Sequence, residues 1–240
     1  MVASGGVVAD PGYAVSGAKW YFRYFLDLEE PVTSATALGK AFHETIAHNF
    51  RRKIETRNDL PVDECFEYFR PLLGRHLECA VLKRGEQPVE LMDLGMAMLD
   101  KYMQEAAPLI QPAAVETRVA VVIGGVKVRG FVDLLDVEGR IVDAKSALKP
   151  MRGVSHDHRL QLTSYVMITP QATGSCRLDT VTKSRTVSLV PKSFEVKTED
   201  RRYAETIYPM GAGLDSRGDL PATTQQCAVL PRVLRLLACL

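Results

Sequence analysis

The hydrophobic period of this chain changes once, at Pro112, and that change limits the folds open to it. Before it, apolar residues return at helical spacing. In "SATALGKAFHETIAHNFRRKIE" Leu38, Phe42, Ile46 and Phe50 stand four apart and share one helix face. Two more helices are predicted over "LPVDECFEYFRPLLGRHLECAVLKRG" and "PVELMDLGMAMLDKYMQEAAP", each begun near a proline. Pro71 should kink or divide the former, because it lacks an N–H and crowds the preceding turn. After Pro112 the period is two. "AAVETRVAVVI" ends at Gly124-Gly125, a hairpin signal, and "VKVRGFVDLLD" runs back from it. The turn "VEGR" leads into the strand "IVDAKSA". "SHDHRLQLTSYVMIT" reads as an amphipathic helix with Ser155 as N-cap. "CRLDTVTK" and "TVSLVP" read as short strands, and "TEDRRYAETIYPM" as a closing helix.

The expected core is therefore three antiparallel strands, a helix, one or two strands and a helix. At 240 residues the chain suits one domain with a substantial core. Residues 1–15 are small and Gly-rich, a lead-in; "KWYFRYFLDL" follows as a short helix with a basic edge. Residues 211–240 form a tail that fits either a docking helix or a segment of poor order.

Composition excludes several classes. A net charge of +1 gives no global basic field, so any nucleic-acid surface must be a local patch. The 5 cysteines are odd in number, widely spaced and lack a C-x-x-C pair, which argues against a disulfide framework or zinc knuckle and fits a reducing cytosol. Residues 1–18 lack Lys and Arg, and no stretch has the ~18 uninterrupted apolar residues of a membrane span. A soluble cytoplasmic protein is expected, nucleoid-associated in a bacterium, with no membrane partner.

Charge in "IVDAKSA" breaks the strand's own rule. Asp143 and Lys145, two apart, share one strand face with Ala144 opposite. Asp133, in "GFVDLLD", lies on the preceding strand, about opposite Asp143 or one residue out of register. Two carboxylates facing across paired strands repel unless a cation compensates. A hard divalent ion, Mg²⁺ or Mn²⁺, suits such oxygens. Three solvated charges on a half-exposed sheet are the plainer alternative, but "FVDLL" and "IVDAK" are apolar around their charges, as in strands covered on both faces.

These residues also carry a resemblance. "GFVD" (Gly130 to Asp133), then "DAKS" (Asp143 to Ser146), then "QLTSY" (Gln161 to Tyr165), with "GKAFH" (Gly39 to His43) upstream, resembles the RecB-like nucleases of the PD-(D/E)xK superfamily. "SGAKWYFRYFLDL" is similar to the aromatic-basic opening segment of those enzymes. The resemblance spans roughly residues 13–208. It implies an α/β (α+β), restriction-endonuclease-like core: a central mixed β-sheet flanked by helices, after a helical N-terminal half. It implies a single nuclease domain over residues 16–210, with a helical part at 16–110 and catalytic sheet and helices at 113–208.

The resemblance further implies roles. His43, Asp133 and Asp143 would be metal ligands, with the backbone carbonyl of Ala144. Lys145 would position or deprotonate the attacking water and stabilise charge on the phosphate. Gln161 and Tyr165, four apart on one helix face, would look toward the site and the nucleic-acid backbone. "HETIAH" is not a zinc-protease helix, since position 47 is Ala, and His48 lies about 140° around the helix from His43. His156 and His158 are expected in a solvated loop, and Glu116 is an accessory carboxylate at most, with surface placement favoured.

The implied activity is metal-dependent hydrolysis of DNA, as an exonuclease on single strands or ends, in repair, recombination or defence against phage and mobile elements. The alternatives are a silent DNA-end binding or regulatory subunit, or a nuclease acting on RNA. The chain is similar to CRISPR-associated RecB-type exonucleases, many of which hold an iron–sulfur cluster on four cysteines. Here Ala18 occupies one of those positions and Cys227 and Cys239 lack a partner set, so no cluster is expected. DNA contacts are expected from Lys19, Arg23, Lys149 and Arg152. No helicase phosphate loop is present, so any unwinding would come from a helicase or other DNA-processing subunit.

Overall fold

The computed structural model describes residues 31–151, 153–184 and 186–215. Helix α1, Ser34–Thr56, opens on Thr33, whose hydroxyl accepts from the Thr36 N–H at 3.2 Å. It ends at Arg57, which takes the left-handed conformation common just past a helix terminus. The stripe Leu38, Phe42, Ile46 and Phe50 is buried as the period requires. Helices α2, Val62–Glu78, and α3, Pro88–Glu105, pack against it. Helix α2 runs through Pro71 without being divided there. Pro71 and Glu67, whose carbonyl loses its partner, are both exposed, so water can take that carbonyl. Gly95 lets α3 approach α2: an added Cβ would lie 2.2 Å from Cζ of the buried Phe69.

A 3₁₀ turn, Ala107–Leu109, leads into a five-stranded sheet. Its strands are β1 Pro112–Ile123, β2 Val126–Asp136, β3 Ile141–Ala147, β4 Ser175–Thr182 and β5 Leu189–Glu195, in that spatial order. Only β3 and β4 are parallel, and α4, His156–Ile168, connects them; the other neighbours are antiparallel. A parallel pair needs such a crossover, whereas antiparallel pairs close through turns. Ser155 caps α4 as expected, accepting from the His158 N–H at 3.2 Å. Strand β5 starts later than "TVSLVP" suggests, because Ser188 is used to close the preceding turn on Thr182, with its N–H donating to the Thr182 hydroxyl at 2.8 Å. Helix α5, Thr198–Asp215, follows.

The sheet separates two cores. Helices α1, α2 and α3 bury Phe42, Phe69, Leu99 and Tyr102 against Leu134, Val142, Ala144 and Val181 on one face. Helices α4 and α5 bury Leu162, Tyr165 and Tyr208 against Val132, Ile141 and Leu178 on the other. This is a mixed sheet flanked by helices, with the helical layer first in the chain, as the sequence led one to expect. Cys65 belongs to the first core and Cys176 to the second. Among the described residues no helix is long and apolar enough to cross a membrane.

One irregularity places the site. Strands β2 and β3 pair only at Leu135↔Ile141 and Leu134↔Val142. Beyond that point β2 continues with β1 as a two-stranded ribbon, while β3 continues with β4. The sheet therefore forks.

Candidate active site

The first residues beyond the last β2–β3 pair are Asp133 and Asp143, one on each branch of the fork. Continued register would set them opposite each other. Strand alternation then places Lys145 on the same face as Asp143, and its Nζ donates to Asp143 Oδ1 at 2.9 Å. From α1, His43 Nδ1 lies 3.7 Å from Asp133 Oδ2. Gly39, one turn before His43, touches the strand that carries Lys145: an added Cβ would lie 3.1 Å from Ser146 Oγ. A glycine four residues before the histidine thus lets α1 sit close enough to aim it.

Gln161 and Tyr165 join the same cluster from α4. The Gln161 amide donates to Tyr165 Oη at 2.9 Å. The Tyr165 ring lies over Gly130, where a Cβ would meet Cε1 at 3.1 Å. The separation Gly130 to Asp133 therefore couples a seat for the tyrosine ring to the placement of the carboxylate. Ala144 turns its side chain into the first core between the two charged residues. Lys149 is exposed in the loop after β3, without a contact to this cluster. Lys19, Arg23 and Arg152 lie outside the described residues.

Electrostatics follow from depth. Burial raises the Asp143 carboxyl to about 6, partly opposed by Lys145 and reinforced by Asp133. Burial also raises Asp133, with Lys145 and the shared Asp143 contact opposing and Glu116 adding to the rise. Burial works against the Lys145 charge, but the two aspartates outweigh it and hold the ammonium above its usual range. His43 is pushed down to about 4 by burial, then by Lys145, with Asp143 opposing and Lys183 adding to the fall. At neutral pH the imidazole is neutral, so its approach to Asp133 is not an ion pair.

The donor set fits a hard divalent cation. Asp143 Oδ2 is buried without a hydrogen-bond partner, an expensive state for a carboxylate oxygen unless something binds it. Two carboxylates are ligands that Mg²⁺ or Mn²⁺ accepts. No group of three His, Cys, Asp or Glu residues among those described converges into a ready-made cage.

Beside the fork runs a cleft of about 460 Å³, walled by α1, α2 and the sheet, with His43, Asp133, Lys145, His76, Tyr102 and Glu116 among its lining residues. Glu116 is exposed, as expected, and it also lines this cleft. His158 is corrected, since His156 and His158 form the first turn of α4 rather than a loop. Burial, then Lys145, depress His158, with Asp143 and Asp157 opposing. Sequence reasoning missed Lys183, whose Nζ donates to the Ala35 carbonyl at 3.0 Å near the start of α1. It also missed the buried pair Arg177–Asp179 on β4, joined at 2.8 Å. The signal was available there, because "RLD" repeats the charge spacing of "DAK" inside an apolar strand.

The family model of the PD-(D/E)XK nuclease superfamily matches residues 12–227. The chain belongs to that superfamily. A solved structure from Eubacterium rectale, provisionally named an exonuclease, shares the fold of this PD-(D/E)XK protein with a TM-score of 0.59 at 12% identity, covering 88% of this chain and 82% of that one. A second solved structure, SSO0001, is 13% identical over 91% of this chain and 92% of its own, with a TM-score of 0.35. No curated protein matches the chain. Membership makes it a nuclease by family.

Proposed function

We propose that this PD-(D/E)XK protein is a metal-dependent deoxyribonuclease, an exonuclease that hydrolyses phosphodiester bonds of single strands or DNA ends. The reading rests on one observation above the rest: Asp133 and Asp143 flank the fork, with Lys145 bonded to Asp143 and one Asp143 oxygen left unpartnered. Mg²⁺ or Mn²⁺ would be held by Asp133 and Asp143, with His43 and the Ala144 carbonyl as further ligands by family likeness. When bound, the ion supplies Lewis acidity toward a phosphoryl oxygen and lowers the pKa of water.

The remaining chemistry belongs to the chain. Lys145, held as an ammonium, stabilises the negative charge that grows on the phosphate as the bond to the leaving oxygen breaks. His43, held neutral, can offer a nitrogen lone pair where a protonated ring could not. Tyr165, with burial pushing its hydroxyl well above the usual range, stays protonated and can donate to the nucleic-acid backbone, while Gln161 orients it. Residues 16–210 act as one nuclease unit in this reading.

The test is cleavage of labelled single- and double-stranded DNA by the purified chain with Mg²⁺, Mn²⁺ or EDTA. Cleavage should require a divalent ion and fall at least ~100-fold in Lys145→Ala, the scale seen when one charge-stabilising donor is removed. Metal-dependent cleavage that survives both Lys145→Ala and Asp143→Ala would refute the site. DNA binding without cleavage under every metal would favour a silent end-binding subunit.

A further inference from the structure

The cleft beside the fork follows α1 from Lys40 to Phe50, about 15 Å at 1.5 Å per residue. Its two ends differ. At the Lys40 end the lining includes the exposed Lys40 and the half-buried Lys145. At the Phe50 end, Arg51 of α1 is ion-paired to Glu116 of β1, a bridge from one wall of the cleft to the other.

Glu116 is unusual in two ways. Its φ is 47°, a left-handed conformation that glutamate rarely adopts. Among the described residues the other non-glycine with positive φ is Arg57, which merely ends α1. Glu116 has no such excuse, since the strand pairing is in register on both sides of it, at Val115↔Leu134 and Thr117↔Val132. Glu116 also lines the cleft beside Asp133 and adds to the rise of that carboxyl, so it has a like-charged neighbour. An ordinary surface ion pair would require neither the backbone strain nor the like-charge neighbour. Strain of this kind persists where a side chain must be aimed.

We propose that Glu116, held across the cleft by Arg51, is the stop that makes this end blind and so makes cleavage depend on a strand terminus. The proposal rests on the nuclease reading above and adds the class of substrate end it accepts. A nucleic-acid strand carries a negative charge at every link. A strand running on past the fork must bring its next phosphate against Glu116, with Asp133 already beside it. A strand that ends at the fork does not. The exposed ion pair is too weak to hold the cleft shut by itself. The barrier is the side chain that the strained backbone aims across the cleft, with the part of its charge that the exposed Arg51 leaves uncompensated, and Arg51 fixes where it lies.

The experiment compares a single-stranded DNA circle with its linearised form, under whichever of Mg²⁺ and Mn²⁺ supports cleavage. The native protein should degrade the linear strand and leave the circle intact. Glu116→Gln keeps the shape and removes the charge, Glu116→Gly suits the left-handed backbone and cannot fail through strain, and Arg51→Ala frees the stop. Each should raise cleavage of the circle at least tenfold while keeping linear cleavage within a few-fold; Arg51→Lys should restore end dependence. The proposal is overturned if all three variants cut linear DNA but spare the circle, if the native protein cuts both forms equally, or if Glu116→Gln and Glu116→Gly lose linear cleavage as well. Failure of the native protein to cut any DNA would instead sink the nuclease reading.

Discussion

Replacing Asp143 by Asn should make the protein more stable while destroying its activity. Burial places the Asp143 carboxyl at about 6 in the folded chain against an ordinary 3.8. The attraction of Lys145 is already within that figure, so the net effect of ionising Asp143 is to disfavour the fold. At 1.36 kcal/mol per pH unit the difference is about 3 kcal/mol above pH 6. Because the folded value is raised, the folded state holds the extra proton between about 4 and 6, and stability contributed by the neutral acid is lost as pH rises through that window. Asn is neutral at every pH, keeps the shape and can still accept from Lys145. In EDTA at pH 8 Asp143→Asn should therefore melt roughly 6–12 °C above the native chain, at about 2–4 °C per kcal/mol for a protein of this size. At pH 4 the gain should vanish, because Asp143 is then protonated in the folded state. Mg²⁺ or Mn²⁺ should raise the native melting temperature and narrow the gap, since a ligand of the folded state stabilises it by mass action. His43 contributes the opposite slope: its folded value of about 4 lies below the ordinary 6.5, so stability rises with pH between them. The two partly cancel in the native chain, and Asp143→Asn should unmask the His43 slope. Thermal unfolding followed by circular dichroism from pH 4 to 8 checks all of this. A variant that melts at or below the native chain at pH 8 in EDTA, or a gain that persists at pH 4, would refute the reasoning.

Two other substitutions test the helical layer. Gly95→Ala gains about 1 kcal/mol of helix propensity, but its Cβ would lie 2.2 Å from Phe69 Cζ and 2.9 Å from Leu38 Cδ1, both buried. Overpacking of about 1–3 kcal/mol should win, and a melting temperature equal to or above native would contradict that. Lys53 donates to Asp59 at 2.7 Å and to the Ala107 carbonyl at 2.8 Å from a buried position. Lys53→Ala should lose about 2–3 kcal/mol in denaturant unfolding, the scale of charged hydrogen bonds left unmade; a loss under about 0.5 kcal/mol would show that the network is not stabilising.

Much of the site was legible because its parts are local. Gly39 and His43, Gly130 and Asp133, Asp143 and Lys145, and Gln161 and Tyr165 each sit within one element, where spacing alone sets which face they share. The three-strand pattern and the Gly124-Gly125 turn likewise follow from period and turn chemistry. Glu116 was harder to read. In an alternating strand its side chain has a defined face, but its left-handed backbone breaks that alternation, and nothing in "AVETRV" announces the break. Pro71 does not divide α2, because the exposed Glu67 carbonyl that it leaves without a partner can turn to water. Lys183 lies 148 residues from Ala35, whose carbonyl it contacts, a pairing that no local pattern encodes.

The sequence by itself determined the order of elements, the helical and stranded halves, and the residue types that a metal-dependent nuclease would need. Those properties depend on periodicity and on the chemistry of single side chains, which act over a few residues. Only the tertiary structure decided that β2 and β3 part after Leu134↔Val142, and this parting turns two strand aspartates into neighbours in a fork rather than rungs of a ladder. It also decided that Asp143 is buried deeply enough to hold its proton to about 6, and that Arg51 of α1 pairs with Glu116 of β1. Burial, long-range register and strain arise from packing α1 and the sheet together, and no stretch of the chain carries them alone.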